Sequence, residues 1–135
     1  MGLLLDTTFL IDLERELSKK QTEKKTEYSV SDFLLKNSLE TCEISVVTVG
    51  EFAEGFENSR YQDFRDYLKP FRILPIDQEV AWIYGQITRK LRKSGNLIGT
   101  NDLWISATAM RNNLKLVTRN IRHFSKIKHL ELVTY

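Results

Sequence analysis

Short apolar runs and helical stripes alternate along this chain, and that alternation restricts its fold more than any other feature. Leu3-Leu4-Leu5 is a continuous apolar run, as suits a central strand covered on both faces. At Asp6 it gives way to Phe9, Leu10, Leu13 and Leu17, which recur at helical spacing. EISVVTV, residues 43–49, is rich in β-branched residues and reads as a second buried strand, with a helix beginning at EFAEGFE. YQDFRDYLKPF, residues 61–71, puts Phe64, Tyr67, Leu68 and Phe71 on one helical face. RILPI, residues 72–76, reads as a third strand, which Pro75 assigns to an edge. The clearest helix spans 77–95: Val80, Ile83, Tyr84, Ile87 and Leu91 form one stripe, and Gly95 is a good C-terminal stop. LKLVT (114–118) and LELVT (130–134) read as strands joined by IRHFSKI as a short connection. Strand and helix in alternation imply an α/β fold with a mostly parallel sheet.

A chain of 135 residues suits one domain, 1–135. Its least typical part is the polar stretch 14–31, a possible insertion or helix extension that leads, through a cap at Ser29 or Ser31, into a helix over SDFLLKNSLE. The net charge of +2 excludes nucleic-acid binding by bulk charge alone but allows a basic groove beside an acidic site. Cys42, the single cysteine, forms no internal disulfide and is expected to be a buried thiol. Trp82 and Trp104 are expected in the core, and His129 on the surface. The first apolar run ends at Asp6, too soon for a signal peptide, and no run approaches the ~20 residues of a membrane span, so a cytoplasmic location is expected.

The acids are distributed in a telling way. Ligands of open α/β sheets bind outside the carboxyl ends of the strands. Asp6 directly follows the first expected strand, Glu51 lies two residues past the second, and Asn120 lies two past LKLVT. Asp102 opens a helix, NDLWISATA, that leads into that same strand. Each also has a modest reading: Asp6 as a helix cap, Glu51 and Asp102 as first-turn acids with Thr100 or Asn101 as the cap, Asn120 as a turn residue. Their convergence on one rim is what the modest readings leave unexplained. Three carboxylates on one rim must protonate, find Arg or Lys, or hold a cation. Oxygen ligands without cysteine or clustered histidine select Mg²⁺ or Mn²⁺, and such a site suits metal-assisted phosphodiester hydrolysis.

The segments LLLDTTFLIDL, VTVGEFAEGF, IGTNDLWISATAM and LKLVTRNIRHFSKI, in that order, resemble a PIN-domain protein, and more narrowly a VapC-type toxin ribonuclease of a toxin–antitoxin pair. NDLWISATA followed by LVTRNIRHF is the specific part. The resemblance implies a three-layer α/β/α sandwich with a metal held by Asp6, Glu51 and Asp102. It places Asn120 where many members carry a fourth acid, so the expectation is one metal, mainly on Asp6 and Asp102. Thr8, Asn101 and Thr118 match polar positions of the pocket. It further implies a cognate antitoxin, whose extended segment covers the groove, and a homodimer; Phe52, Phe56 and Tyr61 are candidates to line that groove. A haloacid-dehalogenase-like phosphatase would need a second Asp where Thr8 stands. A response-regulator receiver would need an acidic pair where Asp6 has Thr7 beside it.

RNA would need cations beside the acids. Arg119, Arg122 and His123 adjoin the fourth-strand end, and Arg89, Lys90, Arg92 and Lys93 crowd a helix end where the dipole alone would favour them. The missing fourth acid motivates a second reading, a catalytically silent PIN-fold module that binds RNA or protein.

Overall fold

Five short strands lie side by side in a wholly parallel sheet, in the order β3-β2-β1-β4-β5. The computed structural model describes residues 2–18 and 30–135. Strand β1 (Leu3–Leu5) leads into α1 (Thr7–Ser18), and α2 (Val30–Lys36) precedes β2 (Cys42–Ser45). Then come α3 (Val46–Ala53), a 3-10 turn (Asn58–Arg60), α4 (Tyr61–Leu68) and β3 (Arg72–Leu74). The remainder is α5 (Gln78–Ser94), α6 (Thr100–Arg111), β4 (Lys115–Val117), α7 (Ile121–Phe124) and β5 (Leu132–Val133). Residues 14–18 of the polar stretch complete α1. Residues 19–29, with the candidate cap Ser29, lie outside the described residues.

The period of two along the strands splits the core in two. Leu4 and Leu116 face a layer built by α5 and α6, with Val80, Ile87, Leu91, Leu103 and Ile105. Leu3, Leu5, Ile44 and Val117 face the opposite layer, with Phe9, Leu10, Phe52 and Leu68 from α1, α3 and α4. Helices on both faces of a parallel sheet make the three-layer α/β/α sandwich. Strand β3 is an edge, as expected, but it ends at Leu74, so Pro75 lies just past it and not within the strand. Helix α5 is capped by Asp77, whose carboxylate accepts the Val80 N–H at 2.8 Å, and it stops at Gly95 in the left-handed region, φ 72°.

Several expectations need correction. EISVVTV is not one strand, because β2 ends at Ser45, whose hydroxyl accepts the Val47 N–H at 3.1 Å and caps α3. The β-branched residues that follow are helical because that cap and the burial of Thr48 and Phe52 outweigh their strand preference. IRHFSKI is not only a connection, since Ile121–Phe124 forms a helical turn that buries Phe124. Trp82 is 67% exposed, because it stands two residues from both Val80 and Tyr84 and so faces away from the buried stripe of α5. Cys42 is half-buried and not buried as expected, since it opens β2 beside the exposed Thr41. Ser31 is not the cap, because it lies inside α2, which already begins at Val30. His129 is exposed as expected.

Candidate metal centre

The chain turns from β1 to one side of the sheet and enters β4 from the other, so the strand order reverses between β1 and β4. The carboxyl ends of these two strands therefore flank a crevice. Asp6 sits at its floor. Its backbone N–H donates to the Val117 carbonyl at 3.1 Å, and its Oδ1 accepts the Phe9 N–H at 2.9 Å. Asp6 is thus both a helix cap and a buried acid of the crevice. Thr118 is fully buried next to it, its hydroxyl bonded to the Asp6 carboxylate and accepting the Asn120 N–H at 2.9 Å.

Asp102 comes from the first turn of α6. The cap of that helix is Gly99, not Thr100 or Asn101, and it makes no side-chain capping bond. Among the described residues, then, neither a capping bond nor a Lys or Arg ion pair occupies the Asp102 carboxylate. Glu51 arrives from the second turn of α3, further past β2 than the longer strand would have put it, and Thr7 Oγ1 donates to its Oε1 at 2.6 Å. His123 Nδ1 lies 3.9 Å from Asp102 Oδ2 and 2.9 Å from Asn120 Nδ2, so the His123 ring links Asn120 to the acidic group.

Burial is the chief influence on both central acids. It pushes the Asp6 carboxyl above the usual carboxylate range, against the bonds from Thr118 and Phe9, and the nearby Asp102 and Asp12 push it the same way. Asp102 is raised by burial and then by Glu51, with His123 opposing. Negative charge is concentrated here without a compensating Lys or Arg on Asp6, Glu51 or Asp102 among the described residues. That donor set fits a hard cation. Among the described residues no three acids, histidines or cysteines converge tightly enough to enclose an ion by themselves. The residues present would suit a cation that retains several waters of its own, as Mg²⁺ does.

The other expected site residues are distributed unevenly. Thr8 is half-buried in the first turn of α1 and Asn101 is exposed on α6. Asn120 is exposed at the start of α7. Arg122 is exposed and, among the described residues, without an ion pair, whereas Arg119 is bound to Asp12 Oδ2 at 2.8 Å. Arg89, Lys90, Arg92 and Lys93 are all exposed. Of the proposed groove residues, Phe52 is in the core at 4% exposure, held by rings from Phe56 and Tyr67, Phe56 is half-buried and Tyr61 is exposed. Sequence reasoning missed Thr7 and Asp12. Thr7 neighbours Asp6 and could have been tested as a ligand to the rim, but nothing local marks Asp12.

The sequence profile of the PIN domain matches residues 3–130. The chain is 33% identical over 128 residues to Ribonuclease VapC1 of Methanocaldococcus jannaschii, across 91% of this chain and 94% of that protein. To Ribonuclease VapC1 of Rickettsia felis it is 34% identical over 138 residues, across 99% of this chain and 96% of that one. Among solved structures it is similar to VapBC2 from Rickettsia felis bound to a DNA fragment from their promoter, with a TM-score of 0.83 at 24% identity, covering 100% of this chain and 99% of that one. It is also similar to a toxin–antitoxin complex from Klebsiella pneumoniae, with a TM-score of 0.70 at 27% identity, covering 98% and 97%.

Proposed function

This chain belongs to the PIN-domain family and, within it, groups with the VapC proteins. From that premise we propose that it is a Mg²⁺- or Mn²⁺-dependent endoribonuclease, the toxin of a type II toxin–antitoxin pair. The observation that carries the proposal is the approach of Asp102 to Asp6 in the β1–β4 crevice, with Glu51 adding its charge and no Lys or Arg paired with any of the three among the described residues. Support for the RNA substrate comes from relatives of matching length that are named ribonucleases.

In this reading Asp6 and Asp102 would hold the cation, with Glu51, oriented by Thr7, adding its charge. When bound, the cation supplies positive charge that acidifies water and offsets the charge building on the phosphate. The chain's own groups do the rest. Thr118 holds Asp6 in place, while Asn120 and His123 stand at the mouth, where they and Arg122 meet the RNA backbone. An amide at Asn120 can orient water but brings no charge. The solved relatives that are toxin–antitoxin complexes support an antitoxin partner. A homodimer and a cytoplasmic location belong to the same proposal. Among the described residues no helix is long and apolar enough to cross a membrane.

The test is cleavage of a labelled RNA panel with Mg²⁺ or Mn²⁺, beside EDTA and Asp102→Asn controls. The expected result is cation-dependent cleavage, reduced at least about a hundredfold in the variant. Equal cleavage by Asp102→Asn would mean contamination and end the proposal. Asn120 favours one alternative, a silent RNA- or protein-binding module, and a folded wild-type protein that cuts no RNA on a broad panel would support it.

A further inference from the structure

Arg119 stands between two residues of the crevice, Thr118 and Asn120, yet its side chain turns away from both. Its guanidinium reaches α1, where one terminal nitrogen lies 2.8 Å from Asp12 Oδ2 and 3.1 Å from Oδ1. The same carboxylate accepts the Tyr135 hydroxyl at 2.8 Å. The Tyr135 ring is seated edge-on against Phe9, centroids 4.8 Å apart, and the Arg119 guanidinium lies 5.7 Å from its centre. Phe9 in turn supplies the N–H that holds Asp6 Oδ1. Two routes therefore run from Asp6 to Asp12: one through Phe9 and Tyr135, the other through Thr118 and Arg119.

Resting on the nuclease reading, we propose that Arg119 is a positioning residue for the site, acting through Asp12 and Tyr135, and not a contact to the RNA. Its charge is matched at 2.8 Å by a carboxylate whose side chain is only 19% exposed, so it offers little field to a phosphate. The pair is charge-assisted and braced by a hydroxyl and an aromatic ring, unlike a lone surface ion pair. What it fixes is the backbone of residues 118–120. Released from Asp12, this segment would lose the register in which Thr118 bonds Asp6 and receives the Asn120 N–H. Asp12, fully engaged by Arg119 and Tyr135, is also removed from the ligand set of the cation.

The experiment uses Arg119→Lys, Arg119→Gln, Asp12→Asn and Tyr135→Phe in the full chain, each checked for a cooperative melt. Three quantities are read: steady-state cleavage with Mg²⁺, hydrogen exchange of the Asn120 amide, and the salt dependence of binding to a fluorescein-labelled single-stranded RNA in EDTA. Positioning predicts that Arg119→Lys and Asp12→Asn each lower kcat about ten- to a hundredfold with KM little changed, since small misplacements at a site cost that much. The Asn120 amide exchanges about tenfold faster in both variants. Tyr135→Phe, which keeps the ring, shows a smaller loss in the same direction. Arg119→Gln leaves the slope of log affinity against log salt unchanged. A slope that falls by about 0.7 in Arg119→Gln, with binding restored by Lys, identifies a phosphate contact and overturns the proposal. Unchanged Asn120 exchange in Arg119→Lys and Asp12→Asn overturns it as well. A wild-type protein that cleaves nothing counts against the nuclease reading alone, because exchange and salt slope still decide the role of Arg119.

Discussion

Thr7 Oγ1 donates a 2.6 Å hydrogen bond to Glu51 Oε1, joining the first turn of α1 to the second turn of α3 across the mouth of the crevice. Thr48 Oγ1 stands 3.3 Å from the same Thr7 oxygen. Thr7 has one hydroxyl proton, and the short contact assigns it to the carboxylate. Glu51 is thereby oriented without a cationic partner among the described residues.

Thr7→Val is expected to remove that orientation with little change in volume. A bond to a charged, half-exposed acceptor contributes on the order of 1 kcal/mol, so the melting temperature falls by a few degrees. Mn²⁺ affinity measured by calorimetry weakens about three- to tenfold, the range for lost outer-sphere support at its mild end. Thr7→Ser restores both. Wild-type Mn²⁺ binding in Thr7→Val would mean that Glu51 needs no help from Thr7.

Asp6→Asn is expected to stabilise the metal-free protein at neutral pH. The folded-state pKa of Asp6 is raised, chiefly by burial, so the folded protein binds this proton more readily than the unfolded chain. Its contribution to stability is full below the unfolded pKa of about 3.8 and is lost as pH rises through the folded value, which leaves a strained buried charge at pH 7. Asparagine keeps an oxygen to accept the Phe9 N–H and carries no charge. In EDTA at pH 7 the variant should melt a few degrees higher than wild type, with the difference shrinking towards pH 4. With Mg²⁺ the order reverses, because only wild type gains from binding. A variant that melts lower in EDTA at pH 7 would contradict the assignment of burial as the main influence.

Asp6 and Asp102 were legible because each adjoins an apolar run with a clear period, and the rule about carboxyl ends of strands did the rest. The shape of the crevice was not, because the adjacency of β1 and β4 joins residues more than a hundred positions apart by backbone bonds that leave no mark on sequence. The ion pair of Asp12 with Arg119 is hidden for the same reason, since the sequence neighbours of Arg119 point to the crevice and not to α1. The end of β2 was misplaced because strand preference in VVTV concealed a serine cap. The exposure of Trp82, by contrast, was readable: two residues from Val80 and two from Tyr84, it falls off the stripe those residues define.

Asn120→Asp would supply a fourth acid at the crevice. The new carboxylate would face Asp102 through His123, which already lies within 3 Å of the Asn120 amide and 3.9 Å from Asp102. Added like charge destabilises the metal-free state and favours cation binding, since affinity for hard cations rises with ligand charge. The expected outcome is a lower melting temperature in EDTA and Mn²⁺ binding tightened about three- to tenfold. Unaltered Mn²⁺ binding would place residue 120 outside the reach of the cation.

The two tryptophans should behave oppositely. The Trp104 ring stacks on Tyr84 at 3.7 Å with the planes 12° apart, across the contact of α5 with α6. Helix α6 carries Asp102, so this contact also fixes the height of the Asp102 carboxylate. Trp104→Ala removes a large, half-buried ring and is expected to cost about 3 kcal/mol in urea unfolding, at the low end for Trp truncation. It should also weaken Mn²⁺ binding, as Asp102 loses its backing. Trp82 is exposed on the opposite side of α5, and Trp82→Ala should change stability by no more than about 0.5 kcal/mol. Fluorescence separates them without unfolding: acrylamide quenches the Trp82 emission that remains in Trp104→Phe far more strongly than the Trp104 emission that remains in Trp82→Phe. Equal quenching of both would mean that α5 is rotated about its axis from the orientation described, and the assignment of its buried stripe would fall with it.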